Sequence, residues 1–126
     1  NIITVGALDK KMNRVGSSNW GTRSVDIFAP GKKIKSAFPN YQIAEMTGTS
    51  QATAFVSGAV SLILEKKSFT SKSNKFRGVK KLLFKTGYHS KRLKSLCLSS
   101  SALNIKELKK YLFTSDRSVI KTASAR

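Results

Sequence analysis

Apolar and small residues dominate one stretch of the chain, from residue 50 to residue 65. Their spacing covers nearly the whole circumference of a helix, which would be roughly 24 Å long at the standard rise per residue. The sequence therefore predicts a central helix that is buried on all sides. Its apolar members are Ala52, Ala54, Phe55, Val56, Ala59, Val60, Leu62, Ile63 and Leu64.

Shorter apolar runs precede this helix and indicate β-strands. Residues 2–5 form a nearly continuous apolar run, which is typical of a strand covered on both faces in a parallel sheet. A second run at 25–28 stops before Pro30-Gly31, because proline lacks the ladder N–H and glycine permits a turn. Residues 34–38 and 41–46 flank a Pro-Asn pair and predict a hairpin that leads into the helix.

The second half of the chain predicts two amphipathic helices. Serines and lysines at 66–75 predict a solvated loop. Apolar residues at helical spacing predict a helix over residues 76–87, and residues 104–107 have the form of a capping box that starts a last helix. Few apolar residues remain from Thr114 onward, so we expect residues 114–126 to be a disordered tail.

The charge of the chain is strongly basic and uneven. The net charge is +18, and residues 1–60 hold 7 Lys/Arg against 3 Asp/Glu, whereas the remainder holds 17 against 3. A basic half suggests anionic partners such as nucleic acid, phospholipid or an acidic prodomain. No zinc-ligand spacing or RNA-binding aromatic motif accompanies the charge. The favoured interpretation is therefore a solvated lysine-rich surface, and a nucleic-acid partner is not favoured.

Length and composition limit the remaining classes of protein. A chain of 126 residues is one domain at most, and its start without Met in a strand-like run agrees better with a fragment. No apolar run of about 18 residues is present, so the sequence predicts no membrane span. The single cysteine, Cys97, excludes an internal disulfide, and we expect it to be a small buried hydrophobe.

Ser50 precedes the apolar helical stretch in Gly48-Thr49-Ser50 and has two interpretations. As a helix cap, its side-chain oxygen accepts a hydrogen bond from an N–H of the first turn. As a nucleophile, its own backbone N–H and the positive end of the helix dipole stabilise the oxyanion that its attack creates. Spacing alone favours the cap, because most serines at such positions are caps.

The segment from Gly48 to Gly58 resembles the nucleophile motif of subtilisin-like serine proteases, in which G-T-S-x-A-[ST] opens the central helix. Three upstream segments resemble the same family in the same order, namely residues 1–7, 18–21 and 25–31. The resemblance is specific over residues 1 to about 66, and a weaker similarity reaches residues 103–105.

The resemblance implies an α/β three-layer fold with a mostly parallel sheet and a buried central helix. Residues 1–113 are then expected to be the C-terminal part of a peptidase domain. Ser50 is the implied nucleophile, and Gly48, Thr49 and Ser50 form the implied oxyanion turn. The implied activity is serine endopeptidase activity on peptide or protein substrates, in a secreted or extracytoplasmic protein, with a prodomain as a further partner.

No cofactor is consumed in the implied reaction, although a structural calcium ion is consistent with the resemblance. Asp26 aligns with an acid that helps hold a peripheral cation in some members of the family. One carboxylate is a weak metal signal, however, and a surface acid is the favoured interpretation of Asp26.

Several positions depart from the family pattern. Gln51 stands where many members carry Met, and Ala54-Phe55 replaces a Pro-His pair that is not catalytic. The triad Asp and His precede the serine in this family, whereas the one histidine here, His89, follows it and is expected to be a surface or packing residue. We therefore expect an inactive segment of a protease. The alternative is a non-catalytic remnant that binds anionic partners through its basic half.

Overall fold

The computed structural model describes residues 2–65 and 75–123 of the chain. The predicted loop at 66–75 lies outside this part, apart from its last residue. In chain order the elements are β1 (Val5–Leu8), β2 (Ile27–Pro30), β3 (Ile34–Phe38), β4 (Gln42–Met46), α1 (Thr49–Glu65), α2 (Lys75–Thr86), β5 (Tyr88–His89), a 3₁₀ turn (Lys91–Leu93), β6 (Ser101–Ala102) and α3 (Ile105–Ala123).

The main sheet has the strand order β1-β2-β6-β5 and is mostly parallel. Strands β1 and β2 are parallel from Val5↔Ile27 onward, β2 and β6 are parallel, and only β5 runs antiparallel to β6. This arrangement confirms the predicted α/β class. Strand β1 begins at Val5 and not at Ile2, because the amide of Thr4 donates to the carboxylate of Asp26 and not to a strand partner.

Both faces of the sheet are covered, and the covering elements form two hydrophobic clusters. The larger cluster lies between the sheet and helices α1, α2 and α3, whereas the smaller one lies between the sheet and the segment around the 3₁₀ turn. The larger cluster includes Ala7, Ile27, Ala29, Ala52, Val56, Ala59, Ile63, Val79, Leu83 and Leu108. The smaller cluster includes Leu8, Val25, Phe28, Leu93, Cys97 and Ala102.

Helix α1 buries one face and exposes another. Ala52, Val56 and Ile63 are buried against the sheet, whereas Phe55 is 41% exposed and Leu64 is 39% exposed. The prediction of burial on all sides is therefore wrong for the described chain. The residues of the helix are apolar as predicted, but only one side of the helix has a layer packed against it within the described residues.

The hairpin formed by β3 and β4 confirms the sequence prediction and stands apart from the main sheet. Its register runs from Ile34↔Met46 to Phe38↔Gln42. Asn40 and Tyr41 in its turn adopt positive φ angles of 61° and 57°. A positive φ at the turn matches the right-handed twist of the paired strands, which explains how the chain reverses after so few residues.

The two later helices form where the sequence predicts them, but the last one is longer. Helix α2 spans Lys75–Thr86, and α3 begins at Ile105 with the Oδ1 atom of Asn104 accepting from the amide of Glu107 at 3.1 Å. The structure continues α3 through Ala123, past Thr114, where the sequence predicts the start of a disordered tail. No glycine or proline interrupts residues 114–123, and therefore nothing in the sequence stops the helix there.

Two glycines join the turn after β2 to the turn before α1. The amide of Gly48 donates to the carbonyl of Gly31 at 2.8 Å. A Cβ atom at Gly31 would lie 2.5 Å from the Cβ atom of Ala7 and 2.7 Å from the carbonyl oxygen of Gly48. The two turns approach this closely only because position 31 has no side chain, and their contact fixes where α1 begins.

We predict that Gly31→Ala destabilises the fold by about 1–3 kcal/mol, since the added methyl group forces the turn after β2 away from β1 and from the turn before α1. Gly16→Ala is the matched control, because a Cβ at Gly16 meets no atom within 4 Å. We expect that control to stay within about 1 kcal/mol of wild type. Denaturant unfolding of the two variants measures the difference, and equal effects would contradict the close approach at Gly31.

Candidate active site

Ser50 is the second residue of α1 and its side chain is exposed. The residue before the helix is Gly48, so Ser50 lies inside the first turn and not at the capping position. Within the described residues its hydroxyl makes no hydrogen bond, whereas the hydroxyl of Thr53 donates to the carbonyl of Thr49 at 2.8 Å. The geometry therefore does not support the helix-cap interpretation of Ser50.

The start of α1 presents backbone donors beside this hydroxyl. Helical hydrogen bonding begins with the amide of Ala52, which donates to the carbonyl of Gly48 at 3.4 Å. The amides of Thr49, Ser50 and Gln51 precede it and have no acceptor within the helix. Together with the helix dipole they make this end of α1 electropositive, which suits a developing negative charge.

The position of the helix in the fold places Ser50 at the carboxyl edge of the parallel strands. Strand β1 ends at Leu8 and β2 ends at Pro30, and the Gly31–Gly48 contact holds the start of α1 at that same edge. In open α/β sheets, the crevice outside the carboxyl ends of the strands is where ligands bind. The site is therefore at the edge that this fold class uses for binding.

A largely apolar groove of about 600 Å³ borders Ser50. It runs between the β3–β4 hairpin and the exposed side of α1. Among the residues lining it, Lys35 is the one titratable side chain, and there is no histidine or carboxylate. The other lining residues include Ile34, Met46, Phe55, Leu62 and Ile105.

His89 lies away from Ser50. It belongs to β5, at the opposite edge of the sheet from β1, and it does not line the groove beside Ser50. Its side chain is exposed, and its Nε2 atom is 3.0 Å from the carbonyl oxygen of Phe84 near the end of α2. This position confirms the expectation of a surface or packing residue.

Asp26 is buried, so the interpretation of Asp26 as a surface acid is wrong. It is 8% exposed, and its Oδ2 atom accepts hydrogen bonds from the amide and hydroxyl of Thr4 at 2.9 and 3.2 Å. Its Oδ1 atom is 2.7 Å from the ammonium of Lys80. No three His, Cys, Asp or Glu side chains gather as a metal site within residues 2–65 and 75–123. With an ammonium already on its single carboxylate, this site does not fit a calcium ion.

The structure also places the remaining features that the sequence singled out. The described part of the basic half lies on α2, α3 and the segment between them. Among its lysines, Lys80 pairs with Asp26, Lys85 lies over the ring of Tyr111 at 4.8 Å, and Nζ of Lys110 is 3.9 Å from Oε1 of Glu107. Cys97 is fully buried, as expected. None of the described helices is long and apolar enough to cross a membrane.

The comparison with known proteins decides the family. A sequence model described as the subtilase family of peptidases matches residues 1–110. This chain belongs to the subtilase family. Subtilisin BL from Lederbergia lenta is 41% identical over 66 residues, which are 52% of this chain and 24% of that protein.

Solved structures of subtilase-like fold superpose on most of the chain. The prenylagaramide maturation protease PagA covers 88% of it with 32% identity and a TM-score of 0.70. The PatG macrocyclase in complex with peptide covers 88% with 28% identity and a TM-score of 0.69. The present chain spans 42% of PagA, 36% of that macrocyclase chain and 24% of subtilisin BL. It is therefore similar to less than half of each of these proteins.

Two features of this subtilase chain are not predicted from the sequence. The pairing of Lys80 with Asp26 joins residues far apart in the chain, and no local pattern marks it. The Gly31–Gly48 contact has a weak signal, because each glycine stands in a turn beside a predicted element. Such a signal identifies a turn but not the atoms that it approaches.

Asp9 follows β1 at the same edge of the sheet as Ser50 and orders the loop that leaves it. Its Oδ1 atom accepts from the amides of Asn13 and Lys11, both at 2.9 Å. These bonds, chiefly the one from the Asn13 amide, hold the pKa of Asp9 below its ordinary value. The loop is therefore stabilised by the ionised carboxylate above the ordinary aspartate range, and this contribution is lost as the pH falls through the lowered pKa.

We predict that Asn13→Ala keeps the pKa of Asp9 low, because both important donors are backbone amides that the substitution retains. The side-chain amide of Asn13 lies at 3.4 Å and contributes less. An NMR titration of the Asp9 carboxyl carbon in wild type and variant measures this. A return of the titration midpoint to that of an ordinary aspartate in the variant would contradict the backbone origin of the shift.

Proposed function

We propose that this chain is the nucleophile-bearing segment of a subtilisin-like serine endopeptidase, with residues 1–113 as the C-terminal part of its catalytic domain. The observation that carries the proposal is the position of Ser50. An exposed hydroxyl with no hydrogen-bond partner among the described residues lies in the first turn of α1, at the carboxyl edge of the sheet, in a chain of the subtilase family.

In the proposed reaction, the Oγ atom of Ser50 attacks the scissile carbonyl carbon, and its proton passes to a histidine. The carbonyl oxygen becomes an oxyanion and accepts from the amide of Ser50, in the turn formed by Gly48, Thr49 and Ser50. One such donor contributes about 3–4 kcal/mol to the transition state when it is aimed at the oxyanion. No cofactor is consumed, because the attack needs only a base and a donor.

The base must come from outside these 126 residues. His89 is the one histidine of the chain, and it lies at the far edge of the sheet with Nε2 on the carbonyl of Phe84. The groove beside Ser50 has neither a histidine nor a carboxylate among its lining residues. We therefore infer that polypeptide beyond this chain supplies the triad histidine and aspartate, and that the chain alone is inactive.

The proposed substrates are peptides or proteins, and the proposed location is extracytoplasmic. Relatives of the chain are named as subtilisins and alkaline proteases, and a structural neighbour was solved with a bound peptide. A prodomain that restrains the enzyme before maturation belongs to the same proposal. The apolar groove beside Ser50 offers a surface where a peptide side chain can lie.

The proposal also accounts for the apolar side of α1 that the described chain leaves uncovered. Phe55 and Leu64 are well exposed, and the groove beside them is mostly apolar. An apolar surface of this kind is ordinarily buried by further polypeptide.

We predict that the isolated 126-residue chain binds a hydrophobic dye, because this side of α1 is open to solvent. Substituting both Phe55 and Leu64 by Gln should lower the dye fluorescence. The control is a double variant at two exposed polar residues, Gln42→Glu with Thr53→Ser, which should leave the fluorescence unchanged. Dye fluorescence titrations of the chain and both double variants measure this. Equal fluorescence from all three proteins would show that the dye binds elsewhere.

We predict that Ser50→Ala lowers kcat on the order of a millionfold in the longest natural form of the protein. This magnitude is the one measured in subtilisin itself when its triad serine is removed. Ser57→Ala is the matched control, because Ser57 is an exposed serine on the same helix. Hydrolysis of a peptide ester by wild type and both variants measures the effect.

The control should retain wild-type turnover. Equal losses in the two variants would indicate damage to α1 and not the removal of a nucleophile. A folded wild-type protein without any turnover would contradict the protease proposal and favour a non-catalytic remnant that binds anionic partners.

A further inference from the structure

A second cleft, lined mainly by lysines, lies at the same edge of the sheet as Ser50. It has a volume of about 460 Å³ and shares no lining residue with the apolar groove beside Ser50. The proposed attack by Ser50 uses none of its charged side chains. We call it the lysine cleft, and its charged residues are Lys10, Lys11, Lys32, Lys33, Asp9 and Glu45.

Hydrogen bonds join the walls of the lysine cleft to the turn that carries Ser50. The amide of Gly31, in the turn after β2, donates to the carbonyl of Leu8 at the end of β1 at 2.9 Å. The amide of Lys33 donates to the hydroxyl of Thr47, three residues before Ser50, at 3.0 Å. Lys33 also has a positive φ of 54°, a conformation that a lysine adopts only where its surroundings hold it. The cleft and Ser50 are therefore parts of one connected edge.

The chain length between the cleft and Ser50 limits the distance between them. Glu45 lines the cleft and precedes Ser50 by five residues. A segment of that length spans at most about 18 Å. An extended peptide rises about 3.3 Å per residue, so about five residues of a bound substrate cover the same distance. A substrate residue near the scissile bond can therefore reach the cleft.

The lysine cleft has an excess of positive charge. The carboxylate of Asp9 already accepts from the amides of Lys11 and Asn13, both at 2.9 Å, and from the side-chain amide of Asn13 at 3.4 Å. None of the four ammonium groups forms an ion pair within residues 2–65 and 75–123. Four ammonium groups thus face two carboxylates, of which Glu45 is the one that no loop amide binds. The cleft suits an anionic group.

We propose that the lysine cleft binds an acidic side chain of the polypeptide substrate, within about five residues of the scissile bond. This proposal rests on the proposed function of Ser50 and adds a substrate class, namely polypeptides with aspartate or glutamate near the cleaved bond. A positive cleft at a binding edge attracts and orients groups of opposite charge. Because the four lysines are exposed, the cleft selects among substrates and does not by itself bind them tightly.

Hydrolysis of matched peptides by the longest natural form of the protein tests this proposal. Each pair of internally quenched peptides differs at one position, which is Glu in one and Gln in the other. The pairs place this residue in turn at each of about five positions on either side of the cleaved bond. We expect kcat/KM for Glu to exceed that for Gln about threefold to tenfold at one or two adjacent positions. This ratio should fall as salt is added, because exposed charges are screened.

Three variants locate the preference in the lysine cleft. The double variant Lys32→Met with Lys33→Met should bring the ratio close to one at the favoured position. Glu45→Gln should raise the ratio, since it removes a carboxylate that repels the substrate acid. Lys81→Met is the matched control, because Lys81 is an exposed lysine on α2 and does not line the cleft. It should keep the wild-type ratio.

The outcomes separate this proposal from the proposed function. Hydrolysis of Glu and Gln peptides with equal kcat/KM at every position would overturn the cleft proposal alone, because the protease would still be active. A preference for Glu at every position, lowered equally by Lys81→Met and by the double variant, would overturn it too, because the overall charge would then be the cause. If folded wild-type protein hydrolyses no peptide, the proposed function fails and the cleft proposal fails with it.

Discussion

The hydrogen bond from the amide of Gly48 to the carbonyl of Gly31 is the constraint on which the rest of the site depends. It ties the turn after β2 to the turn before α1, at a distance that excludes a side chain at position 31. Helix α1 can then begin only at the carboxyl edge of the parallel strands. Ser50, in the first turn of that helix, takes its place in the fold from this contact.

The described residues offer one half of the chemistry that the proposed attack by Ser50 needs. The half that stabilises negative charge consists of backbone amides at the start of α1, and these follow directly from the secondary structure. The half that accepts the serine proton requires a side chain that the groove beside Ser50 does not contain. This division agrees with a chain that spans less than half of the subtilases it resembles.

Local patterns in the sequence predicted most of the fold. The hairpin, the parallel strands and the helices were predicted because apolar periodicity, turn residues and caps are properties of short segments. Strand β1 begins later than predicted because the amide of Thr4 donates a hydrogen bond to the side chain of Asp26 and not to a neighbouring strand. The last helix ran longer because no breaker follows Thr114.

The errors that concern the site have a different origin. Periodicity shows which side chains of a helix are apolar, but it does not show whether a second layer covers them. The sequence therefore predicts that α1 is buried on all sides, whereas Phe55 on that helix is 41% exposed. In the same way, an isolated acid in the sequence has no visible partner, so the sequence favours a surface position for Asp26, which is in fact buried. Its partner, Lys80, reaches it only when the fold brings α2 beside β2. The candidate nucleophile itself was found because its motif is contiguous.

On the proposed function, Ser50 is a nucleophile and not a helix residue whose hydroxyl takes no part in a reaction. Labelling the longest natural form of the protein with a fluorophosphonate, followed by mapping of the modified peptide, tests for that nucleophile. The probe reacts only with a serine that has a working base and an oxyanion site. We expect a label on Ser50 in that protein and none on the isolated chain. A label on another residue, or no label on folded protein freed of any prodomain, would contradict it.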